Sequence, residues 1–268
     1  MREKSRITRL IAVLLVAFIV PFTFGTKVYA KESTLLSADM KNTVLALFTG
    51  LNYDNLDYPA LYGNAWYDED EGIKAGVFGF STKSGDLLEV IRLYESLKPD
   101  NELSKYITRL ETVKDTQAVM DLGDAFIEDI GKASEDPEFI QAQDLMAQEL
   151  YLSPAFQYAS ADGLGILGQF IYLDAIVNHG LSEDENSFDG IRIMALKAAD
   201  LPLNGGSEAE YLKAFLYAQK NLELSLGKDD NALRLDTLMG FVDANNFELA
   251  TPIKWGDDTG IYYITDED

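Results

Sequence analysis

Apolar residues recur at helical spacing along most of this chain. Over residues 37–49, Met40, Val44, Leu45 and Phe48 fall on one face of a helix that Ser37 can cap. The same spacing predicts a second helix that begins at residue 84. It predicts further helices over residues 101–113, 116–132, 136–152, 187–199, 207–225 and 232–244. The pattern therefore predicts a mainly helical protein.

Residues 160–180 are apolar on every face and carry almost no charge. The spacing predicts one continuous helix, and a helix without a polar face is buried on all sides. About 20 residues at 1.5 Å per residue span roughly 30 Å, the diameter of a small domain. We therefore expect a long buried central helix against which the other helices pack.

In its middle this central helix carries a carboxylate, Asp174, and it ends near His179, the only histidine of the chain. A carboxylate buried without a partner is strongly unfavourable, so Asp174 requires an ion pair or hydrogen bonds. Arg234, which lies in another apolar helix, is the predicted partner. Two roles are open for Asp174: a structural ion pair that joins two helices, or a direct part in catalysis.

Strand signals are short and few. Residues 58–67 are rich in Tyr and Trp, residues 73–81 read IKAGVFGFS, and residues 252–265 predict a small hairpin. Helices do not alternate regularly with strands, which disfavours a doubly wound sheet. We expect a two-lobed helical protein with a small β element around residues 58–81.

The N-terminus has the pattern of a secretory signal peptide. Four basic residues precede an unbroken apolar run of eleven residues, 10–20, and Ala30 satisfies the small-residue rule for cleavage. A membrane anchor, the alternative, needs about 20 apolar residues. We expect residues 1–30 to be removed and residues 31–268 to form a secreted, extracellular domain that is monomeric and not bound to a membrane.

The chain is strongly acidic, with 22 basic and 45 acidic residues and a net charge of −23. Residues 1–30 hold five of the basic residues and one of the acidic residues, so the mature chain would carry −27. This charge excludes nucleic acid, whose binding needs a basic surface. It favours a cationic partner, although from charge alone solubility outside the cell is the better explanation.

The chain has no cysteine and one histidine. Disulfides, thiolate zinc sites, a cysteine nucleophile and a multi-histidine metal site are excluded, and no cofactor or metal is expected. The open enzyme classes are mainly those that work with carboxylates. Residues 68–71 form a run of four acids before Gly72. Calcium binding, a carboxyl group of raised pKa for acid–base catalysis, and a solvated loop are all open there.

Several stretches resemble one family, the chitosanases of glycoside hydrolase family 46. Residues 76–90 read GVFGFSTKSGDLLEV, and residues 153–180 read SPAFQYASADGLGILGQFIYLDAIVNHG. The resemblance continues through SFDGIR at 187–192, YLKAFL at 211–216, RLDT at 234–237 and PIKW at 252–255. Together these segments extend through nearly all of residues 37–264.

The resemblance implies a lysozyme-like, two-lobed helical fold with a cleft between the lobes. It implies endo-hydrolysis of β-1,4-linked glucosamine polymers with inversion, so the expected partner is a cationic polysaccharide such as chitosan or glucosamine oligomers. Inversion requires two carboxyl groups, one as general acid and one that activates water. The resemblance implies that Asp86, Tyr151 and His179 bind substrate, and that Asp174 and Arg234 form a buried supporting network.

The catalytic positions depart from the family pattern. Asn52 falls at the place of the general acid, and an amide cannot donate a proton as an acid does. Glu69 aligns best with the general base, and Asp70 lies one place on. The remaining acid in the turn after the first helix is Asp54, the predicted alternative proton donor. Three more family residues are replaced: an Arg by Glu71, a Thr by Lys74 and a later Arg by Gln219.

Two hypotheses follow. The first is a chitosanase-like hydrolase of weak or altered activity, with Glu69 or Asp70 as base and Asp54 as proton donor. The second is a catalytically inactive binder of amino sugars or other cationic polymers on the same scaffold. The simultaneous loss of an acid at position 52 and an Arg at position 219 indicates a site that was reorganised as a unit, because the Arg would otherwise be left without its partner.

Overall fold

The computed structural model describes residues 38–119, 122–256 and 260–265. Within these residues the chain forms ten α-helices and two small antiparallel sheets. The helices are α1 Ala38–Tyr53, α2 Asp86–Leu97, α3 Ile107–Val113, α4 Gly123–Ala133, α5 Pro137–Ala147, α6 Ser153–Asp162, α7 Ile166–His179, α8 Phe188–Leu196, α9 Glu208–Ser225 and α10 Asp229–Asp243. The mainly helical fold predicted from the apolar spacing is confirmed.

Several helix predictions differ from the structure at their ends. The helix predicted over residues 101–113 is a 3₁₀ turn, Ser104–Tyr106, followed by α3, which begins at Ile107. The helix predicted over residues 116–132 begins only at Gly123, and residues 116–119 lie outside any helix, with the Thr116 hydroxyl donating to the carbonyl of Val113. The helix predicted over 136–152 is α5 followed by a π-helical turn, Gln148–Leu152. Asp136 caps α5 by accepting a hydrogen bond from the amide of Glu138.

The prediction of one continuous helix over residues 160–180 is wrong in its first part. Helix α6 ends at Asp162, Gly163 takes a left-handed conformation with φ of 78°, and α7 begins at Ile166. A Cβ at Gly163 would lie 2.8 Å from the backbone nitrogen of Leu203. Glycine is therefore favoured at position 163 for two reasons: the backbone φ is positive, and another segment approaches closely.

Helix α7 is the buried central helix. Its consecutive residues from Phe170 to Ile176 are all buried, including Asp174. It packs against α6, α8 and α9, so helices cover it on several sides. A cluster of aromatic rings forms part of this core: Tyr172 lies against Phe188 and Phe215, each at a centroid distance of 4.8 Å. These T-shaped and tilted ring contacts stabilise the buried helix at this position.

The larger sheet has three strands, β1 Ala65–Asp68, β2 Gly72–Ala75 and β3 Phe80–Ser81, in that order. A short 3₁₀ helix, Tyr58–Gly63, precedes it. Residues 58–67 are thus only partly extended, contrary to expectation. The second sheet pairs β4 Ile253–Gly256 with β5 Ile261–Ile264, which confirms the predicted terminal hairpin.

The predicted signal peptide, residues 1–30, lies outside the described residues. Among residues 38–119, 122–256 and 260–265, no helix combines the length and the hydropathy needed to cross a bilayer.

Candidate active site

Asp174 and Arg234 form the predicted buried ion pair between α7 and α10. The Nε atom of Arg234 lies 3.0 Å from Oδ1 of Asp174, and the two side chains are 5% and 0% exposed. A pair this deeply buried holds two helices in a fixed relation, because removing one partner leaves the other charge unpaired in the interior.

Asn52, at the end of α1, lies against this ion pair. Its amide nitrogen donates to Oδ1 of Asp174 at 3.4 Å, and its carbonyl oxygen accepts from Nη1 of Arg234 at 3.4 Å and from Asn178 at 3.3 Å. Gln219 donates to the other oxygen of Asp174 at 3.2 Å. We call Asn52, Asp174, Asn178, Gln219 and Arg234 the amide network. Position 52 therefore holds an amide, and the neighbouring carboxylate of Asp174 is engaged in the ion pair with Arg234.

A second buried carboxylate extends the amide network. Glu223 is 1% exposed and lies 3.7 Å from Nη2 of Arg234 and 3.1 Å from Nε2 of His179. Burial alone would raise the pKa of Glu223, but the close contact with His179, the hydrogen bond from Asn231 and the charge of Arg234 hold it below the ordinary value. The ring of His179 is 4% exposed, so this contact places it in the interior. Its substrate-binding role stays a prediction.

The two residues predicted as general base lie in the turn between β1 and β2. Glu69 and Asp70 are both exposed. The turn is closed by Asp68, whose carboxylate accepts hydrogen bonds from the amides of Asp70 and Glu71. The structure therefore presents Glu69 and Asp70 to solvent on a locally capped turn, and their catalytic role stays a prediction.

Glu71, the last acid of the run, contacts the sheet instead. Its carboxylate accepts a hydrogen bond from the Ser81 hydroxyl at 3.1 Å and lies 3.5 Å from Nζ of Lys83. The amide of Ser81 donates to Asp86, which in turn accepts from the hydroxyl of Tyr151 at 2.7 Å. Two of the predicted substrate-binding residues, Asp86 and Tyr151, are thus in direct contact, and Glu71 lies beside them.

Electrostatics connect these groups. Burial raises the pKa of the half-buried Asp86, against the hydrogen bonds from Ser84, Tyr151 and the backbone that lower it. Burial also raises the pKa of Tyr151, and the charge of Asp86 and the hydrogen bond to it, with smaller effects of Tyr53 and Glu71, raise it further. Tyr151 therefore stays a neutral hydrogen-bond donor to Asp86.

Tyr53 lies between the three-stranded sheet and the amide network. It follows Asn52 in the chain, and its ring lies edge-on to Trp66 at a centroid distance of 5.5 Å. Burial raises the pKa of its hydroxyl, which the positive charge of Arg234 lowers and the negative charge of Asp174 raises. An open cavity of about 520 Å³ adjoins Tyr53 and is lined also by Asn55, Asn64 and Ser134. Its amide and hydroxyl groups suit a polar ligand.

Asp54, the predicted proton donor, adopts a left-handed backbone conformation and is exposed. Its carboxylate accepts a hydrogen bond from Tyr262 of β5 at 3.3 Å. This contact directs it to the terminal hairpin, and within the described part of the chain it forms no hydrogen bond or ion pair with the amide network. Its role as proton donor stays a prediction.

The sequence did not lead to Asn178 or Glu223 as parts of this region. It also did not predict that Glu71 would contact the sheet. A signal existed for the first two. Asn178 lies four residues after Asp174, and Glu223 lies four residues after Gln219, so each shares a helix face with a residue already singled out. For Glu71 no such signal exists, because turn residues have no fixed periodicity. No three acidic or histidine side chains in the described residues are grouped to hold a metal ion.

The sequence is similar to a family model and to known chitosanases. The family model described as glycosyl hydrolase family 46 matches residues 51–253. A chitosanase from Streptomyces sp. (strain N174) is 40% identical over 220 residues, which is 80% of this chain and 78% of that protein. A chitosanase from Bacillus subtilis (strain 168) is 30% identical over 200 residues, 69% of this chain and 71% of that protein.

Solved structures agree in fold. A chitosanase complex superposes with a TM-score of 0.82 at 35% identity, with 87% of this chain and 99% of that chain covered. A chitosanase from Gynuella sunshinyii in complex with chitotetraose superposes with a TM-score of 0.79 at 27% identity, with 85% of this chain and 98% of that chain covered. The helical fold described above is the fold of these proteins.

Proposed function

This chain belongs to glycosyl hydrolase family 46, and on that premise we propose that it binds β-1,4-linked glucosamine polymers and hydrolyses them slowly, with inversion. Solved relatives contain chitotetraose or an oligomer described as 6 GlcN, which supports the ligand class. The amide at position 52 is the observation on which the slow rate depends.

We attribute the binding of a cationic glucosamine polymer to carboxylates of this chain. Asp86 and Glu71 are half-buried and lie beside Tyr151, so an ammonium group would meet negative charge at low local dielectric. The net charge of −23 for the whole sequence adds long-range attraction that raises the local concentration of a cationic polymer. Glu69 and Asp70 extend the same acidic surface into solvent.

Hydrolysis with inversion needs a general acid and a base on opposite sides of the scissile bond. Glu69 is the proposed base, with Asp70 next to it, and Asp54 is the proposed donor. Asn52 holds its place in the amide network but has no proton of suitable acidity. General acid–base catalysis contributes about 10²–10⁴-fold, and the rate is expected to fall by that order where the acid is lost.

Binding without hydrolysis is the second candidate, and a specific contact favours it. Both polar atoms of the Asn52 amide are engaged, the nitrogen by Asp174 and the oxygen by Arg234 and Asn178. A side chain held from both ends is a stable structural element and not an incomplete catalytic group. Under this candidate the chain recognises amino-sugar polymers through Asp86, Tyr151 and the acidic loop.

The deciding experiment measures the release of reducing ends from chitosan together with salt-dependent binding of glucosamine hexamers. Slow release and a product of inverted anomeric configuration by NMR support the hydrolase. Binding with no release supports the second candidate. If the chain shows neither release nor binding, both candidates are wrong.

We also propose that the protein is secreted and acts outside the cell, on the strength of the N-terminal pattern. Expression of the full chain in a secreting bacterial host tests this. The exported protein should begin at Lys31, and cell-associated protein that keeps residues 1–30 would contradict it.

A further inference from the structure

Lys74 is a cation in an unusual place. It lies in β2, between the buried residues Ile73 and Ala75, and is itself half-buried. Its Nζ lies 5.9 Å from the ring centroid of Trp66, its cross-strand partner in β1. The ion pairs found within the described residues give Lys74 no carboxylate within 4.0 Å, although the chain is strongly acidic.

The side chain of Lys74 lies over Gly79. A Cβ at Gly79 would lie 2.9 Å from Cε of Lys74 and 2.9 Å from the hydroxyl of Tyr53, so the lysine stem and the phenol both lie over this glycine. Tyr53 in turn follows Asn52 and is near enough to Asp174 and Arg234 to respond to their charges. Lys74 therefore places a positive charge beside Tyr53, the residue that follows Asn52, on the face of the sheet that carries Trp66 and Ser81.

A glucosamine unit bound at this place would bring its ammonium group against the ammonium of Lys74. Like charges repel more strongly in a partly desolvated site than in water. An N-acetylglucosamine unit carries no such charge. Its acetamide oxygen can accept a hydrogen bond from Nζ, and its methyl group can pack on the half-buried rings of Trp66 and Tyr53.

We propose that Lys74 is a specificity-determining residue that selects an N-acetylated sugar unit beside Tyr53, so that the ligand of this chain is partly N-acetylated chitosan. The inference rests on the proposed function and refines it. Asp86 and Glu71 keep the attraction for glucosamine units elsewhere along the polymer, and Lys74 excludes glucosamine at one position only.

The test is a positional scan of binding by calorimetry. The probes are the fully deacetylated glucosamine hexamer and hexamers that carry one N-acetyl group at each position in turn. For the wild-type chain, N-acetylation at one position should tighten binding about tenfold, whereas at the other positions it should weaken binding or leave it unchanged. Lys74→Gln should abolish the gain, and Lys74→Arg should retain it.

Lys254 supplies the matched control. It also lies on a strand, with Nζ 5.2 Å from the ring centroid of Tyr263, but it is exposed on the terminal hairpin. Lys254→Gln should leave the positional gain unchanged. If Lys74→Gln does not fold by circular dichroism, Lys74→Thr takes its place, and the wild-type scan alone still shows whether the gain exists.

The outcomes separate the two proposals. If the wild-type chain binds no hexamer, the proposed function fails and the inference fails with it. If it binds every hexamer but no position shows a gain, or if Lys74→Gln keeps the gain, the inference alone is wrong.

Discussion

Nη1 of Arg234 donates a hydrogen bond to Oδ1 of Asn52 across 3.4 Å, while Nε of the same guanidinium lies 3.0 Å from Asp174. One arginine therefore contacts both the residue at the acid position and its supporting carboxylate. An oxygen at position 52 faces a donor, and the other polar atom faces an acceptor. A protonated carboxyl group fits this environment as well as an amide does, with its proton toward Asp174.

We expect that Asn52→Glu combined with Gln219→Arg raises chitosan hydrolysis by about 10²-fold or more, because it restores an acid and a second cation beside Asp174. The measurement is the release of reducing ends at saturating substrate. Asn52→Gln with Gln219→Arg is the control, since it lengthens the side chain without adding a proton donor. An unchanged rate in the Glu variant would show that position 52 does not face the scissile bond.

Arg234→Met should lower the free energy of unfolding by about 3–5 kcal/mol, because it leaves Asp174 and Glu223 buried without their shared cation. Urea denaturation followed by circular dichroism measures the loss. Arg92 is the matched control: it pairs with Glu89 and Glu111 on the surface, and Arg92→Met should cost about 1 kcal/mol or less. Equal losses for the two variants would refute the structural importance of the buried pair.

Glu223 makes stability depend on pH. Its pKa is lowered in the folded protein, so it stabilises the fold above its ordinary value of 4.5, and this contribution is lost as the pH falls through the folded-state pKa. We expect the stability difference between wild type and Glu223→Gln to be largest near neutral pH and to shrink on acidification. Urea midpoints at a series of pH values test this. A difference that grows toward low pH would give the opposite sign and contradict the assignment.

Gly163→Ala should destabilise the fold more than Gly205→Ala. Both glycines have positive φ, but a Cβ at Gly163 meets the backbone of Leu203 at 2.8 Å, whereas a Cβ at Gly205 meets nothing within 4 Å. The left-handed conformation alone costs an alanine about 1–2 kcal/mol, so the excess at Gly163 measures the steric contact. Thermal unfolding of both variants gives the comparison, and equal effects would mean that the neighbouring segment moves away freely.

Apolar spacing was sufficient to predict most helices, because burial of one face is the main determinant of where helices form. The pairing of Asp174 with Arg234 followed from the cost of burying a charge. The break at Gly163 did not follow, since a glycine among apolar residues is compatible both with a helix and with a turn, and the contact with Leu203 decides between them. Glu223 was missed because its partners His179 and Arg234 come from other helices, which spacing within one helix does not reveal.

Three carboxamides, those of Asn52, Asn178 and Gln219, donate to the carboxylate of Asp174. A carboxamide neither gains nor loses a proton over the range in which Asp, Glu and His side chains titrate. The shell around Asp174 is therefore insensitive to acidity, apart from the more distant Glu223. Acidification should therefore act on this region through Glu223 and not through the amides that surround Asp174.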